Sequence, residues 1–159
     1  MADLPSLRNI GDLLITSLAS VPVSVTAGGT GDNTAVTGTT IDRLDPATGA
    51  LAGSVKLSLL WTTTLAAAAT LSLKTISISH SPDGSTWTTG FATFADPGVV
   101  ATGPAGGGTV TGVTSVGYDL TGAYRFIRLL WMPDLSAANT DTATIWGAAI
   151  KAGFDRLPV

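Results

Sequence analysis

With 159 residues, no cysteine, and eight basic against eleven acidic side chains for a net charge of −3, the chain is long enough to bury one core without staples. Disulfide frameworks and thiolate metal sites are excluded, and with no basic cluster to meet a phosphate backbone no nucleic-acid partner is expected. All eleven acids are Asp, and neither Glu nor Gln occurs; with Thr, Ser, Gly, Ala and Val abundant instead, the composition points to an all-β fold.

Residues 1–20 read as an arm. Leu4, Leu7, Ile10, Leu13 and Leu14 fall near helical spacing, but Pro5 and Gly11 interrupt it, so an extended segment fits as well as a helix. Packed on its own domain or reaching a neighbouring subunit, this apolar set is a candidate interface. The segment lacks the basic and apolar regions of a secretory leader. No later stretch offers the roughly 18 uncharged apolar residues of a membrane span, so no membrane partner is expected.

Residues 21–159 read as a single β-sandwich domain with a short C-terminal tail. "VPVSVT" (21–26) alternates with Val21, Val23 and Val25 on one side, and Pro22 marks an edge strand. A loop rich in Gly, Asp, Asn and Thr follows, with at most a short strand at 34–37. "IDRL" (41–44) is a short strand stopped by a turn over 45–49, where Pro46 presets φ and Gly49 accepts a positive one. The strongest strand pair comes next. In "AGSVKLSLLW" the residues Val55, Leu57, Leu59 and Trp61 share one face, and "TTTLAAAA" leads to "TLSLKTISISHS". There Leu71 and Leu73 set one phase and Ile76 and Ile78 the opposite one, which predicts a β-bulge at about Lys74 and Thr75.

"SPDGSTW" (81–87) stands one residue short of the S-x-D-x-G-x-T-W signature of sialidase-like propeller blades. It occurs once, and no repeat of about 40 residues supports a propeller. It is read as a hairpin connection with Trp87 packed beside it: Pro82 supplies φ, Asp83 bonds its own backbone and Gly84 accepts positive φ. A Gly/Pro loop carries a brief strand at 99–101, "VTGVTSVGYDL" alternates, and "AYRFIRLLWM" (123–132) reads as a central strand covered on both faces. "DTATIWGAAIKAG" (141–153) closes the core. Eight to ten strands joined by short hairpins and long Gly-rich loops give a two-sheet antiparallel β-sandwich, a jelly roll in preference to other topologies, with an extended N-terminal arm.

Chemistry is thin. His80, the one histidine of the chain, has no Glu partner, and Ser81 and Asp83 lie too close to it along one strand and turn to converge on a reacting atom. Asp42, Asp45, Asp96, Asp119, Asp134, Asp141 and Asp155 sit at strand ends or turns, where Asp bonds local backbone, so no catalytic residue, cofactor site or metal site is assigned. Calcium ligands could come from residues 29–34 or 139–142, but neither loop has a recognised spacing. "IDRL" and "FDRL" (154–157) echo each other, and Arg43 and Arg156 are candidates for an intersubunit contact. A sugar-binding or adhesin-like module, such as a tail-fibre component, would have Trp61, Trp87, Trp131 and Trp146 as candidates for stacking glycan; Trp61 and Trp131 fall in phase with core residues, and Trp87, next to the turn, is the one read as exposed.

The arm ending in "ITSLASVPVSVTAGGTGDNTAVTGTTIDR", the core "SLLWTTTLAAAATLSLKTISISHSPDGSTWTTGFATF" and the segment "DLTGAYRFIRLLWMPDLSAANTDTATIWGAAI" together resemble the decoration, or cement, proteins of tailed-bacteriophage heads. The resemblance spans most of the chain in texture and order, without a catalytic motif. It implies a jelly-roll or related sandwich on the outer capsid surface of a virion, a homo-oligomer (dimer or trimer) whose partners are the major capsid protein and its own copies, and a role in clamping capsomers. The charge-poor Thr/Ala/Gly surface suits such packing.

Overall fold

The computed structural model describes residues 14–136 and 140–154. Ten strands are present among them: β1 (Ile15–Thr26), β2 (Val36–Thr37), β3 (Ile41–Asp42), β4 (Ala52–Leu65), β5 (Thr70–Ser81), β6 (Thr88–Thr93), β7 (Gly98–Thr102), β8 (Gly108–Asp119), β9 (Phe126–Leu135) and β10 (Thr142–Phe154). They form two sheets. The first, sheet A, has the order β1-β10-β4-β8; the second, sheet B, has β9 and β5 at its centre, with β2 and β3 both on β9 and β6 and β7 both on β5.

Counting β2 with β3 and β6 with β7 as interrupted single strands leaves eight strands in a double Greek key, with the first strand beside the last and every crossover passing between sheets. This is the jelly-roll order, and all pairings of named strands are antiparallel. The strands at 55–61 and 70–81, read from sequence as a pair, do not pair: β4 lies in sheet A and β5 in sheet B. The short connection after Leu65 crosses from one sheet to the other, with Ala68 taking a positive φ of 62°.

The core lies between the sheets. Val55, Leu57, Leu59 and Trp61 of β4 face Leu71, Leu73, Ile76 and Ile78 of β5 and Ile127, Leu129 and Trp131 of β9, all buried. Clean alternation on β5 fails at the expected place, and again at Ile78–Ser79, both buried. Lys74 pairs with Met132 and Ser77 with Leu130, so Thr75 and Ile76 together oppose Trp131. Thr75 has φ 51°, and its N–H donates to Asp96 Oδ1 at 2.6 Å. The extra residue swings Ile76 and Ile78 back into the core, as the change of phase requires. A cavity between the sheets, lined by Leu57, Leu59, Ile76, Val116 and Leu129, has a volume of about 10 Å³, the size of one water probe sphere.

Two expectations shift at the N-terminal end. Residues 15–20, assigned from sequence to the arm, belong to β1 and pair with β10; the earlier arm residues Leu4, Leu7, Ile10 and Leu13 lie outside the described residues. Register shifts on both sides of Ser20 break the Val21/Val23/Val25 alternation, so that Val25 is buried while Val21 is 53% exposed. The edge position inferred from Pro22 holds, since β1 ends sheet A.

Candidate protein-interaction surface

The hairpin at 81–87 is built around two side chains. The Ser81 hydroxyl donates to Asp83 Oδ1 at 2.9 Å and accepts from the Gly84 N–H at 2.9 Å. Asp83 Oδ1 accepts from the N–H groups of Ser85 and Thr86 at 2.9 and 2.7 Å. Those amide donors hold the Asp83 carboxyl far below the usual carboxylate range. Gly84 takes φ 76°. The loop thus folds back on sheet B, and the Arg128 guanidinium stacks on Trp87 at 4.1 Å. Trp87 is half-buried, with one ring face already occupied by a cation.

His80 points away from this turn. Its ring lies between Phe91 (4.7 Å) and Tyr124 (4.5 Å), and its Nδ1 accepts the Tyr124 N–H at 3.2 Å. Burial, reinforced by the nearby Arg43 charge, pushes its pKa down. Ser81, His80 and Asp83 therefore do not converge. Asp32 spends both carboxylate oxygens on backbone amides, those of Leu135 and Gly28. Among the described residues no group of three His, Cys, Asp or Glu side chains is placed to hold a metal.

Arg43 is corrected by the structure. It is 5% exposed; its Nε and one terminal nitrogen donate to the Ala52 carbonyl at 3.0 and 2.7 Å, and the other terminal nitrogen reaches the carbonyls of Ala123 and Tyr124. It ties β3 to the start of β4 and to the β8–β9 connection, and among the described residues it meets no carboxylate. Lys151 makes a second tie, from β10 to the Asp42 carbonyl at 2.7 Å. The exposed ion pair at this end is Asp42 with Arg125, at 2.6 Å. Arg156 lies outside the described residues.

The unexpected feature is the outer face of sheet A. On β10 the buried set is Ala143, Ile145, Gly147, Ala149 and Lys151, which leaves Thr144, Trp146, Ala148 and Ile150 on the opposite side. Trp146 pairs with Leu60 of β4, and Leu60 pairs with Val113 of β8. The β1 residues opposite Trp146, between Ser20 and Val23, include Val21. One row of apolar side chains, Val21, Trp146, Leu60 and Val113, therefore crosses all four strands at right angles to them. Val21 and Val113 are 53% and 58% exposed, and Leu18 in the next row of β1 is 50% exposed. Lys56 and Asp119 are the only charged residues of these strands on that side. Leu14, from the expected interface set, is 37% exposed and borders a shallow depression on this face beside Ile150 and Lys56.

Sequence leaves Trp146 as one of four tryptophans that could stack a sugar, and "TIWGAAI", apolar in both phases of the alternation, does not say which face it takes. The one charge of the strand, Lys151, is in phase with Ile145 and argues from sequence for the opposite assignment; only the fold, which buries Lys151, shows that the Trp146 phase is the outer one.

No protein-family model matches this chain, and no curated protein does. Solved structures similar to it include the PBSX exported protein XepA (17% identity, TM-score 0.43, covering 91% of this chain and 39% of that one). Others are infectious bursal disease virus Gx strain (14%, TM-score 0.46, 91% and 33%) and the infectious bursal disease virus VP2 subviral particle (13%, TM-score 0.45, 91% and 34%). The chain thus spans about two fifths or less of the length of each.

Proposed function

We propose that this chain is a structural virion protein that decorates a phage capsid and stabilises it by bridging capsomers, with the outer face of sheet A as the surface that meets its protein neighbours. The observation that carries this is the apolar row Val21–Trp146–Leu60–Val113, laid across a face whose remaining side chains are nearly all uncharged. Full burial of a large apolar side chain from an exposed state contributes about 1.5–3 kcal/mol; Trp146 and Leu60, half-buried already, have part of that left to contribute, and the more exposed Val21 and Val113 add to it. The resemblance to decoration proteins supplies the nature of the partner, and Leu14 borders the same face. The mechanism is binding energy alone. Glycan stacking on Trp87 is less well supported, because Arg128 covers one face of that ring.

The test is to mix the purified protein with undecorated shells of the same virus and to measure co-sedimentation. Saturable binding at a fixed number of copies per capsomer is expected. Absence of binding to shells that are intact by electron microscopy overturns the proposal.

A further inference from the structure

The four edges of the sandwich are not treated alike. On β1 the edge carries Pro22 and two register shifts, and the segment after β2 covers it: Thr39 donates its N–H to the Ala19 carbonyl at 2.9 Å and its hydroxyl to the Leu18 carbonyl at 2.5 Å. One edge of sheet B is broken into β2 and β3, two residues each. The other is broken into β6 and β7, with Pro97 and the positive-φ glycines Gly90 and Gly98 between or within them. Short strands, proline and bulges are the devices that keep a sheet edge from pairing with another chain.

The fourth edge, β8, has none of them. It runs twelve residues, pairs with β4 without a register shift from Ser54↔Asp119 to Leu65↔Gly108, and among the described residues has no strand on its other side. It contains no proline, and its single charge is Asp119 at the very end. None of its inward residues is fully buried: Val110, Gly112, Thr114, Val116 and Tyr118 are all half-exposed, whereas the inward residues facing them on β4 are buried. The core is left open along this strand.

We propose that β8 pairs antiparallel with β8 of a second copy, about a two-fold axis at Val113, joining two four-stranded sheets into one of eight. This partner is chosen by the strand's own self-complementarity. In this register inner residues oppose inner and outer oppose outer, as alternation demands. Each bulky inner residue meets a neighbour that fits: Tyr118 opposes Gly108, Val110 opposes Val116, and Thr114 opposes Gly112. On the outer face Thr111 opposes Ser115, a favourable cross-strand pair, and Asp119 opposes the uncharged Gly107, so no like charges meet. Val113 opposes itself, and the apolar row becomes continuous through both copies. The proposal concerns the isolated protein and does not depend on capsid binding.

Cysteine scanning tests it on a chain with no cysteine of its own. Residues directly opposite in an antiparallel pair have Cα atoms about 4.5–5.5 Å apart, within disulfide reach. Under mild oxidation Val113→Cys gives a covalent dimer, Thr111→Cys alone does not, and Thr111→Cys combined with Ser115→Cys does. Leu18→Cys, on the protected edge, gives none. Val113→Lys, which sets like charges against each other on an exposed site, loses the dimer by sedimentation while its circular dichroism remains that of the folded sandwich, and its thermal transition no longer depends on protein concentration. A wild-type monomer with no cross-link at Val113, or cross-linking at Thr111 alone or at Leu18, overturns the pairing or its register. Neither outcome bears on co-sedimentation with shells, so the two proposals fail separately.

Discussion

The two outer faces of this sandwich solve the same problem in opposite ways. Sheet B covers itself: the 81–87 hairpin lays Trp87 against Arg128, Lys74 pairs with Asp134, Asn33 donates to the same carboxylate at 2.8 Å, and Asp96 caps the bulge. Sheet A places Trp146, Leu60 and Val113 in one row and pairs none of the charges on its strands across the outside. The lesson is that an aromatic on a β-surface is read by what lies on it. Trp87 belongs to the fold, and Trp146 is the aromatic that the proposed interface uses.

The sharpest way to break this comparison is Trp146→Lys. We predict that it lowers affinity for the protein neighbour by about 100-fold or more, the effect of losing a central aromatic anchor, while the unfolding free energy changes by no more than about 0.5 kcal/mol. The mirror experiment, Trp87→Ala, should cost about 1–3 kcal/mol of stability through lost packing and lost cation–π contact, with neighbour binding retained in denaturant-free buffer. Gly84→Ala follows at about 1–2 kcal/mol by chemical denaturation, because an L side chain is forced to hold φ 76°. Thr75→Asn should stabilise by a few tenths to about 1 kcal/mol, since Asn tolerates the left-handed region that the branched Thr75 is made to occupy.

The smallest effect is a pH dependence. His80 has its pKa lowered in the fold, so the unfolded chain takes up the proton first. Its contribution to stability is complete above the unfolded value of about 6.5 and is lost as pH falls from there toward the folded value. Arg43 is the charged group acting on it. Melting midpoints between pH 7 and 5 should fall less steeply in His80→Phe than in the wild type, and binding by sheet A should not respond to the substitution.

Local features were legible in the sequence where one mechanism governs them. The bulge at Thr75 follows from a change of apolar phase that no regular strand can absorb, and the Asp45 turn from Pro46 and Gly49: the Gly49 N–H donates to the Asp45 carbonyl at 2.8 Å. Trp61 and Trp131 are core, at 4% and 0% exposure, as their phase requires. Long-range features were less legible. Neighbouring apolar strands can be a hairpin or a crossover, and nothing within 62–69 separates the two, so β4 and β5 were paired when they face each other. Arg43 reads as a surface charge because its three carbonyl acceptors come from residues 52, 123 and 124, which only the fold brings together. Val21 moved to the outer face because bulges in β1 leave no pattern in a run of Val, Ser and Pro.

A density map of the decorated shell, at a resolution that shows side chains, tests the central claim most directly. The account predicts Trp146, Leu60 and Val113 buried in the contact between this protein and its neighbours. A contact made through the Trp87–Arg128 face of sheet B, with Trp146 open to solvent, would contradict it.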